Sequence, residues 1–494
     1  MHSITNIFAS IIIQEIAMRP KDTLKFIIVI LLCHYGNGLR AQDAKPITFD
    51  DHIAPIFKRH CVQCHGETKQ KAGLDLSSYL STKKGGGGGP VVLSGQSGSS
   101  SIFKVITAED PAERMPPEND ALPKEQVALI KAWIDSGLRQ NAGSAAAPTR
   151  ILGFTPAAMT NIDGPAPMPS KLSAVEKIKT TRPFPILALA SSNRAPLIAS
   201  ASYGAIDFVD PKDRTVMGSV AFPEGEPQIL RFSKSGGVLL AAGGRPVQNG
   251  VAVLFDVVSG KRLAEIGNES DSIIAADISA DEKSIAIGGS SRIVKIFSTK
   301  DGALLHTLVK HTDWVTAIAF SPDGKLLATG DRTGLIHIWD ATSGGVVFPL
   351  SEHKASVRSL AWRSDSKALA SSGDDGLVVW WDVSKGWPSI SKPDAHPATR
   401  PAGYYGKIPN GVLDVAFGPK GELVTCGRDQ TVKVWATDGQ LVKTFSILEE
   451  QSKTSTQGIK IFPTRVALTF DGAIVVAGDS AGRIHSWPLT SPKK

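Results

Sequence analysis

The larger part of the chain repeats at an interval of 42 residues. This interval separates four aromatic residues, Phe255, Phe297, Trp339 and Trp381. In four copies an aspartate of a predicted tight turn lies 16 positions before the marker residue, as Asp323 does before Trp339. Repeats of roughly 20–50 residues stack side by side, because one copy is too small to bury its own apolar face. The chain is therefore constrained to a repeat architecture over most of its length.

One copy, from Ile318 to Asp340, shows the pattern most fully. It contains three apolar strands, a Pro-Asp-Gly turn between the first two strands and a closing Trp-Asp pair. At longer intervals, Val209, Trp435 and Trp487 extend the series of markers to seven. The pattern resembles the WD-repeat β-propeller family, whose repeats of roughly 40–45 residues form four-stranded blades. The sequence therefore predicts an all-β propeller with seven blades over residues 174–490.

The resemblance assigns structural roles to polar residues of the repeats. The family places a histidine ahead of the first strand of a blade, and three residues fit: His311, His353 and His396. In the best-matched blade, His353, Ser371, Asp375 and Trp381 resemble the family's hydrogen-bond network. Other blades depart from the pattern, because Thr333 occupies the aspartate position and Val209, Phe255 and Phe297 replace tryptophan. We expect these polar residues to be structural rather than catalytic or metal-binding.

Three segments of the predicted propeller fall outside the regular repeat. Only seven residues follow Trp487, so we expect residues 174–181 to supply the outer strand of the last blade. Residues 244–250 extend a turn of the second blade. Residues 397–411 lengthen the loop that enters the sixth blade, and they include Arg400, Tyr404 and Tyr405. Because tyrosine and arginine are enriched at binding hot spots, these three residues are candidate partner contacts; a tolerated loop insertion explains them equally well.

A second sequence feature lies far from the repeats, in the run Cys61-Val62-Gln63-Cys64-His65. C-x-x-C-H is the attachment signature of c-type haem. The two thiols can each add to a vinyl group of the porphyrin, and the histidine can ligate the iron. The alternatives are a redox-active cysteine pair or half of a zinc site. The chain has only four cysteines, and the remaining two, Cys33 and Cys426, are distant in sequence.

An electron-transfer haem needs a second axial ligand. Met115 is the one methionine between residues 46 and 140, and Pro116-Pro117 follow it directly. A thioether ligand raises the reduction potential of the iron. The alternatives are an open site or a second histidine, His52 or His60, although both precede the motif on its own predicted helix. Met115 is therefore the predicted sixth ligand.

Helical patterns flank this motif. Apolar spacing predicts one helix over residues 49–60 and another over 123–138, as in small class I cytochromes c. Four further segments resemble the planctomycete-type cytochrome c domain: Lys71–Leu76, Gly85–Pro90, Leu93–Gly95 and Arg114–Pro117. The resemblance implies one covalent haem c on Cys61 and Cys64, with His65 and Met115 as iron ligands. The run of five glycines from Gly85 departs from the family pattern and is interpreted as a flexible loop.

Composition and the N-terminus bound the remaining possibilities. The formal net charge is +7 over 494 residues, and no dense Lys/Arg block accompanies it, which disfavours nucleic-acid binding. Three basic residues precede the apolar run Phe26–Cys33, the pattern of an export signal within residues 1–44; Met18 is a candidate start. The run is too short to span a bilayer. We therefore expect a periplasmic or cell-envelope protein without a transmembrane span once the signal is removed.

These features predict a multidomain chain. A small all-α cytochrome c domain (46–140) is followed by an Ala/Pro/Ser-rich linker (141–173) and the propeller (174–490). The favoured function is electron transfer, with the propeller docking an unidentified redox partner. Two alternatives remain open: a redox enzyme whose propeller holds its own cofactor and uses the haem as an electron relay, and a haem-based sensor or binding protein.

Overall fold

The computed structural model describes residues 46–87, 90–117, 121–143, 166–170, 172, 175, 183–397, 399–401, 407–447 and 461–489. The chain forms two compact units, residues 1–149 and residues 150–494. The predicted export signal (1–44) and most of the predicted linker lie outside the described residues. The boundaries of the three predicted regions stay predictions.

The first unit is helical. A π-helical turn, Phe49–Ile53, continues directly into α1 (Ala54–His60). Short 3-10 turns, Lys71–Gly73 and Ser97–Ser99, separate the further helices α2 (Tyr79–Lys84), α3 (Ser101–Ile106) and α4 (Lys124–Asp135). The first and last helical segments agree with the two predicted helices, and α4 begins after Pro123, one residue later than predicted. Gly137 has a positive φ of 96° just beyond the end of α4, a conformation that glycine adopts without strain.

The core of the first unit forms where the first and last helical segments meet. Phe49, Ile53, Ile130 and Trp133 are all buried in one apolar cluster. The rings of Phe49 and Trp133 lie 5.6 Å apart, and the indole nitrogen of Trp133 donates to the backbone oxygen of Arg139 at 2.9 Å. The 3.6-residue spacing of the apolar positions therefore places one face of α4 against the segment that leads into the C-x-x-C-H motif.

The second unit contains seven antiparallel sheets arranged as blades. Blade 1 consists of β1 (Leu189–Ser191), β2 (Ile198–Ser202), β3 (Ala205–Val209) and β4 (Val216–Ala221). Blade 2 consists of β5 (Glu226–Phe232), β6 (Val238–Arg245), β7 (Asn249–Asp256) and β8 (Arg262–Glu269). Blade 3 consists of β9 (Ala275–Ile278), β10 (Ser284–Gly288), β11 (Val294–Ser298) and β12 (Leu304–Leu308). Blade 4 consists of β13 (Val315–Phe320), β14 (Leu326–Asp331), β15 (Ile336–Asp340) and β16 (Val346–Leu350). Blade 5 consists of β17 (Val357–Trp362), β18 (Ala368–Gly373), β19 (Val378–Asp382) and β20 (Trp387–Lys392).

A small hairpin, β21 (Thr399–Pro401) and β22 (Lys407–Pro409), stands between the fifth and sixth blades. Blade 6 consists of β23 (Val412–Phe417), β24 (Leu423–Gly427), β25 (Thr431–Trp435) and β26 (Leu441–Ser446). In blade 7, three strands are described: β27 (Pro463–Leu468), β28 (Ile474–Asp479) and β29 (Ile484–Pro488). The predicted seven blades are confirmed, and each of the seven marker residues lies on the third strand of its blade.

The blades close into a ring. The first strand of each blade contacts the first strand of the next, and β27 of the last blade contacts β1 of the first. At this junction the backbone nitrogen of Ile186 donates to the oxygen of Asp479 at 3.1 Å, and the Thr464 hydroxyl donates to the oxygen of Ile186 at 2.6 Å. The segment predicted to complete the last blade, 174–181, lies outside the described residues except for Val175.

Part of the predicted linker packs on the propeller. Ala166, Met168 and Leu172 contact the apolar cluster between the first two blades, and the backbone nitrogen of Ser170 donates to the oxygen of Val258 at 2.8 Å. No helix in the described part of the chain is both long and apolar enough to cross a membrane.

Candidate functional site

The C-x-x-C-H residues form one hydrogen-bonded turn at the end of α1. The backbone nitrogen of Cys61 donates to the oxygen of Phe57 at 2.8 Å. The nitrogens of Cys64 and His65 both donate to the oxygen of Cys61, at 3.1 and 2.9 Å. The two cysteines are not joined in a disulfide. Both thiols and the imidazole are therefore carried by one short segment whose backbone is fixed by the helix before it.

The imidazole of His65 is oriented by the segment that follows the motif. Its Nδ1 atom lies 3.0 Å from the backbone oxygen of Lys71, while the nitrogen of Lys71 donates to the oxygen of Cys64 at 3.1 Å. A histidine that donates through Nδ1 to a carbonyl oxygen keeps the lone pair on Nε2, which is then able to ligate a metal. In the sequence, Lys71 is notable only as part of the family resemblance. No pattern in the sequence indicates that its backbone carbonyl group contacts His65.

A glycine makes this turn possible. A Cβ atom on Gly66 would lie 2.5 Å from the backbone oxygen of Val62. This contact is too short for any larger residue unless the backbone shifts. Gly66 is therefore a structural requirement of the motif as it stands in this chain.

Met115 lies on a separate segment, after α3. Its backbone nitrogen donates to the oxygen of Val105 at 3.0 Å, and its side chain is 39% exposed. The preceding residue, Arg114, donates its backbone nitrogen to the oxygen of Asp110 at 3.0 Å. The structure thus brings Cys61, Cys64 and His65 together in one turn, and anchors the backbone of Met115 independently of them. The assignment of Met115 as an iron ligand stays a prediction.

The two alternative histidines remain on the helical segment that leads into the motif. Nδ1 of His52 accepts from the backbone nitrogen of Thr48 at 3.1 Å, within the cap of that segment. His60 is the last residue of α1, and its Nε2 atom is buried without a hydrogen-bond partner. Both histidines lie on the helical segment that leads into the C-x-x-C-H turn, whereas Met115 lies on a different segment of the unit.

The alternative chemistries for the cysteine pair find little support. Burial raises the pKa of the Cys61 thiol to about 11, whereas a redox-active pair depends on a thiolate at neutral pH. Among the described residues, no three His, Cys, Asp or Glu side chains are placed to hold a metal ion together. The donor set of the turn, two thiols and an Nε2 lone pair, suits covalent haem better than zinc.

Three histidines of the propeller, His311, His353 and His396, take part in buried networks. In blade 5, Ser371 Oγ lies 2.8 Å from Nε2 of His353 and accepts from the Trp381 indole at 2.8 Å. Nδ1 of His353 lies 3.2 Å from the Asp375 carboxylate. Blade 6 repeats the arrangement with four residues: His396, Thr425, Asp429 and Trp435. Every ring nitrogen of these histidines is engaged within the blade, so these residues stabilise the propeller.

The network of blade 4 is complete despite Thr333. Nδ1 of His311 lies 2.9 Å from Oδ2 of Asp331, a residue two positions before the expected aspartate site. The Thr333 hydroxyl and backbone nitrogen both donate to Oδ1 of Asp331, at 2.6 and 2.9 Å. Thr333 departs from the family pattern, as the sequence indicated, and Asp331 at the end of β14 contacts the histidine in its place.

The structure describes one of the two predicted propeller insertions completely and the other in part. Residues 244–250 lengthen the hairpin between β6 and β7, where Arg245 pairs with Asn249, as predicted. Residues 397–411 contain the hairpin β21–β22, which includes the backbone of Arg400. Tyr404 and Tyr405 lie outside the described residues, so this loop stays a candidate contact surface.

Comparison with known families agrees with both units. Residues 61–119 match the family model described as Planctomycete cytochrome C. Residues 258–387 match the Vps8 beta-propeller model, and residues 403–436 match the WD domain, G-beta repeat model. The chain joins a planctomycete-type cytochrome c domain to a WD-repeat propeller. No curated protein matches it at a significant level.

The cytochrome c match begins at Cys61, the first residue of the motif, and ends four residues after Met115. It therefore includes all four predicted haem residues of the cytochrome c domain. The first propeller match includes blades 3 and 4 and the first three strands of blade 5, and the second includes the first three strands of blade 6.

Proposed function

We propose that this protein is an exported c-type cytochrome that transfers electrons through one covalently bound haem, with the WD-repeat propeller as its protein-docking scaffold. The observation that carries the proposal is the orientation of His65. Its Nδ1 atom lies 3.0 Å from the Lys71 backbone oxygen, and this contact favours the tautomer whose Nε2 atom is free to bind iron.

Four residues of the chain would hold the haem. Cys61 and Cys64 would fix it covalently from a single turn, which prevents its loss during repeated redox cycles. His65 and Met115 would both ligate the iron, which would leave no place for an exogenous ligand. The haem supplies a one-electron Fe(III)/Fe(II) couple. A neutral thioether from Met115 would stabilise the reduced state and raise the potential of that couple.

The propeller would provide the partner contacts. Its described histidine–aspartate networks serve the blades themselves, which leaves loops and blade edges as the surface for recognition. The hairpin loop of residues 397–411, with Arg400, Tyr404 and Tyr405, is the candidate contact for the redox partner. Export through residues 1–44 and a periplasmic or cell-envelope location follow from the haem, because covalent c-type haem is attached outside the cytoplasm.

An absorption spectrum of the purified, reduced protein with and without carbon monoxide tests the electron-transfer function. The proposal predicts sharp c-type bands that carbon monoxide does not change, because His65 and Met115 would already ligate the iron. A spectrum that shifts with carbon monoxide would indicate an open iron site and a sensor or enzyme instead. Bands from a second chromophore would equally contradict a protein with one haem and no catalytic centre of its own.

A further inference from the structure

Four side chains of the first unit have a buried polar atom without a hydrogen-bond partner among the described residues. They are His60, Thr82, Arg114 and Gln126. A buried polar group without a partner destabilises the folded state, and a charged group does so most. Two of the four stand directly before residues that the proposed function assigns to the haem, because His60 precedes Cys61 and Arg114 precedes Met115. A haem held by Cys61 and Met115 is therefore attached next to both of these residues.

Arg114 is the one side chain of the four that carries a permanent charge. A guanidinium is not deprotonated in proteins, and it offers several N–H donors in one plane. Nε of Arg114 is buried, and its guanidinium has neither a hydrogen bond nor an ion pair among the described residues. Because the removal of a charge from water is costly unless a counter-ion compensates it, Arg114 requires an anionic partner.

The acidic residues nearest in the sequence do not supply this anion. Glu109, Asp110 and Glu113 all lie within five positions of Arg114, and all three are exposed. The Asp110 carboxylate accepts from the backbone nitrogen of Ala112 at 2.8 Å. None of the three forms an ion pair with Arg114 in the described structure. The guanidinium is therefore left for an anion from outside the described chain.

The backbone fixes Arg114 next to Met115. The backbone nitrogen of Arg114 donates to the oxygen of Asp110, and that of Met115 donates to the oxygen of Val105, both at 3.0 Å. These bonds hold the two neighbouring residues on one fixed segment. The proposed function makes Met115 an iron ligand, and the anionic groups of haem are its propionate carboxylates. A guanidinium matches a carboxylate through a pair of parallel hydrogen bonds.

We propose that Arg114 binds one propionate carboxylate of the haem. The inference rests on the proposed function, because it requires the covalently bound haem. Arg114 would neutralise a carboxylate whose negative charge otherwise favours Fe(III), the more positively charged state of the iron. The ion pair would therefore raise the reduction potential, in the same direction as the thioether of Met115.

The test compares the full-length holoprotein with Arg114→Gln by potentiometric titration and resonance Raman spectroscopy. The variant is expected to have a lower reduction potential, with a ratio of Fe(III) to Fe(II) that is about tenfold higher at a given applied potential, equivalent to about 59 mV for one electron. The Raman band of propionate bending should shift, because it responds to hydrogen bonding of the carboxylate. The methionine-to-iron charge-transfer band should persist, because Met115 is unchanged.

Arg59→Gln is the matched control. Arg59 is exposed on α1, two residues before Cys61, so the control removes the same charge from the same unit. It should leave the propionate band unchanged and alter the potential much less, because solvent and salt screen an exposed charge. An unshifted propionate band in Arg114→Gln, or equal changes of potential in the two variants, would overturn the proposal.

Arg114→Lys separates the charge from the paired hydrogen bonds. It is expected to keep most of the reduction potential of the wild type while the propionate band still shifts, because lysine retains the charge but not the planar pair of donors. Loss of the methionine-to-iron band in both Arg114 variants would overturn the proposal, since Arg114 would then hold Met115 rather than a propionate.

The same measurements separate this inference from the proposed function. A wild-type protein without covalent haem would overturn both, whereas the outcomes above overturn the assignment of Arg114 alone. If Arg114→Gln yields no holoprotein, Arg114→Lys decides the question with Arg59→Lys as its control. A propionate band at the wild-type position in Arg114→Lys would then overturn the proposal.

Discussion

Nδ1 of His65 lies 3.0 Å from the backbone oxygen of Lys71. The contact joins the imidazole of the C-x-x-C-H turn to the chain just after it, and the nitrogen of Lys71 donates back to the oxygen of Cys64. The ring is thus oriented before any iron is bound, which lowers the conformational entropy that ligation has to overcome. For a histidine to ligate haem iron, the right spacing in the sequence is therefore not enough. Its other ring nitrogen also needs a hydrogen-bond partner that orients the imidazole.

Replacing Met115 by alanine should open the sixth position of the iron. We expect the loss of the methionine-to-iron charge-transfer band, the appearance of carbon monoxide binding and a lower reduction potential, because the thioether no longer stabilises Fe(II). Absorption spectroscopy and potentiometric titration measure these changes. Met217→Ala is the control, since Met217 is similarly exposed (37%) on β4 of the propeller. A charge-transfer band that persists in Met115→Ala would refute the ligand assignment.

The buried aspartate of blade 4 should make the propeller sensitive to acid. Burial alone would raise the pKa of Asp331, but hydrogen bonds from His311 and Thr333 outweigh it and lower the pKa. The folded-state pKa is then below the unfolded value of about 3.9, so the contribution is present at neutral pH and is lost as the pH falls below about 4.

We therefore expect Asp331→Asn to lower the free energy of unfolding by roughly 1.5–3 kcal/mol at pH 7, and by less at pH 3. Urea denaturation at the two pH values measures both differences. Asp394→Asn, at an exposed turn position, should change neither. A deficit of Asp331→Asn that is as large at pH 3 as at pH 7 would contradict the role of the ionised carboxylate.

His337 is expected to destabilise the fourth blade in mild acid. Both of its ring nitrogens are buried without a hydrogen-bond partner. Burial and the neighbouring His311 lower its pKa, with Lys310 acting in the same direction and Asp331 in the opposite one. The unfolded chain therefore binds a proton at a higher pH than the folded chain, and stability decreases as the pH falls below about 6.5.

His337→Val should remove this penalty. Val379 occupies the equivalent position of blade 5 and is fully buried, so the substitution fits the repeat. We expect an increase of about 1 kcal/mol in the free energy of unfolding at pH 5.5, measured by urea denaturation. Some acid dependence should remain from His396, whose pKa is also lowered by burial. A variant less stable than the wild type at pH 5.5 would contradict the unpartnered state of His337.

Residues 174–181 should be required for a stable ring. Blade 7 has three strands among the described residues, whereas the other blades have four, and the chain just beyond this segment is bonded to the last blade through Ile186. Deleting 174–181 is expected to lower the melting temperature sharply, whereas deleting 145–148 in the predicted linker should not. Calorimetry measures both, and an unchanged melting temperature for the first deletion would refute this mode of closure.

The sequence predicted the architecture well because the repeat markers have a direct structural cause. Trp339 and Trp381 recur at a fixed interval because each lies on the third strand of its blade and donates to a hydroxyl on the second. The short helix Tyr79–Lys84 was not predicted, because six residues carry too little periodicity. Its one signal was Ser78, whose side chain caps the helix in a reciprocal pair with Ser81.

The sites were only partly predictable. The motif Cys61–His65 is local in sequence, so its geometry follows from one turn. The contact between Asp331 and His311 was not predicted, because alignment of the repeats places Thr333, not Asp331, at the aspartate position.

The intact mass of the chain, measured under denaturing conditions after expression with a haem-attachment system, tests the central claim most directly. Covalent attachment at Cys61 and Cys64 predicts a mass increase of one haem per chain that survives denaturation, together with a c-type haemochrome spectrum. The double variant Cys61→Ala/Cys64→Ala should lose the added mass. A wild-type chain that carries no covalently added haem mass, or a double variant that retains it, would contradict the account.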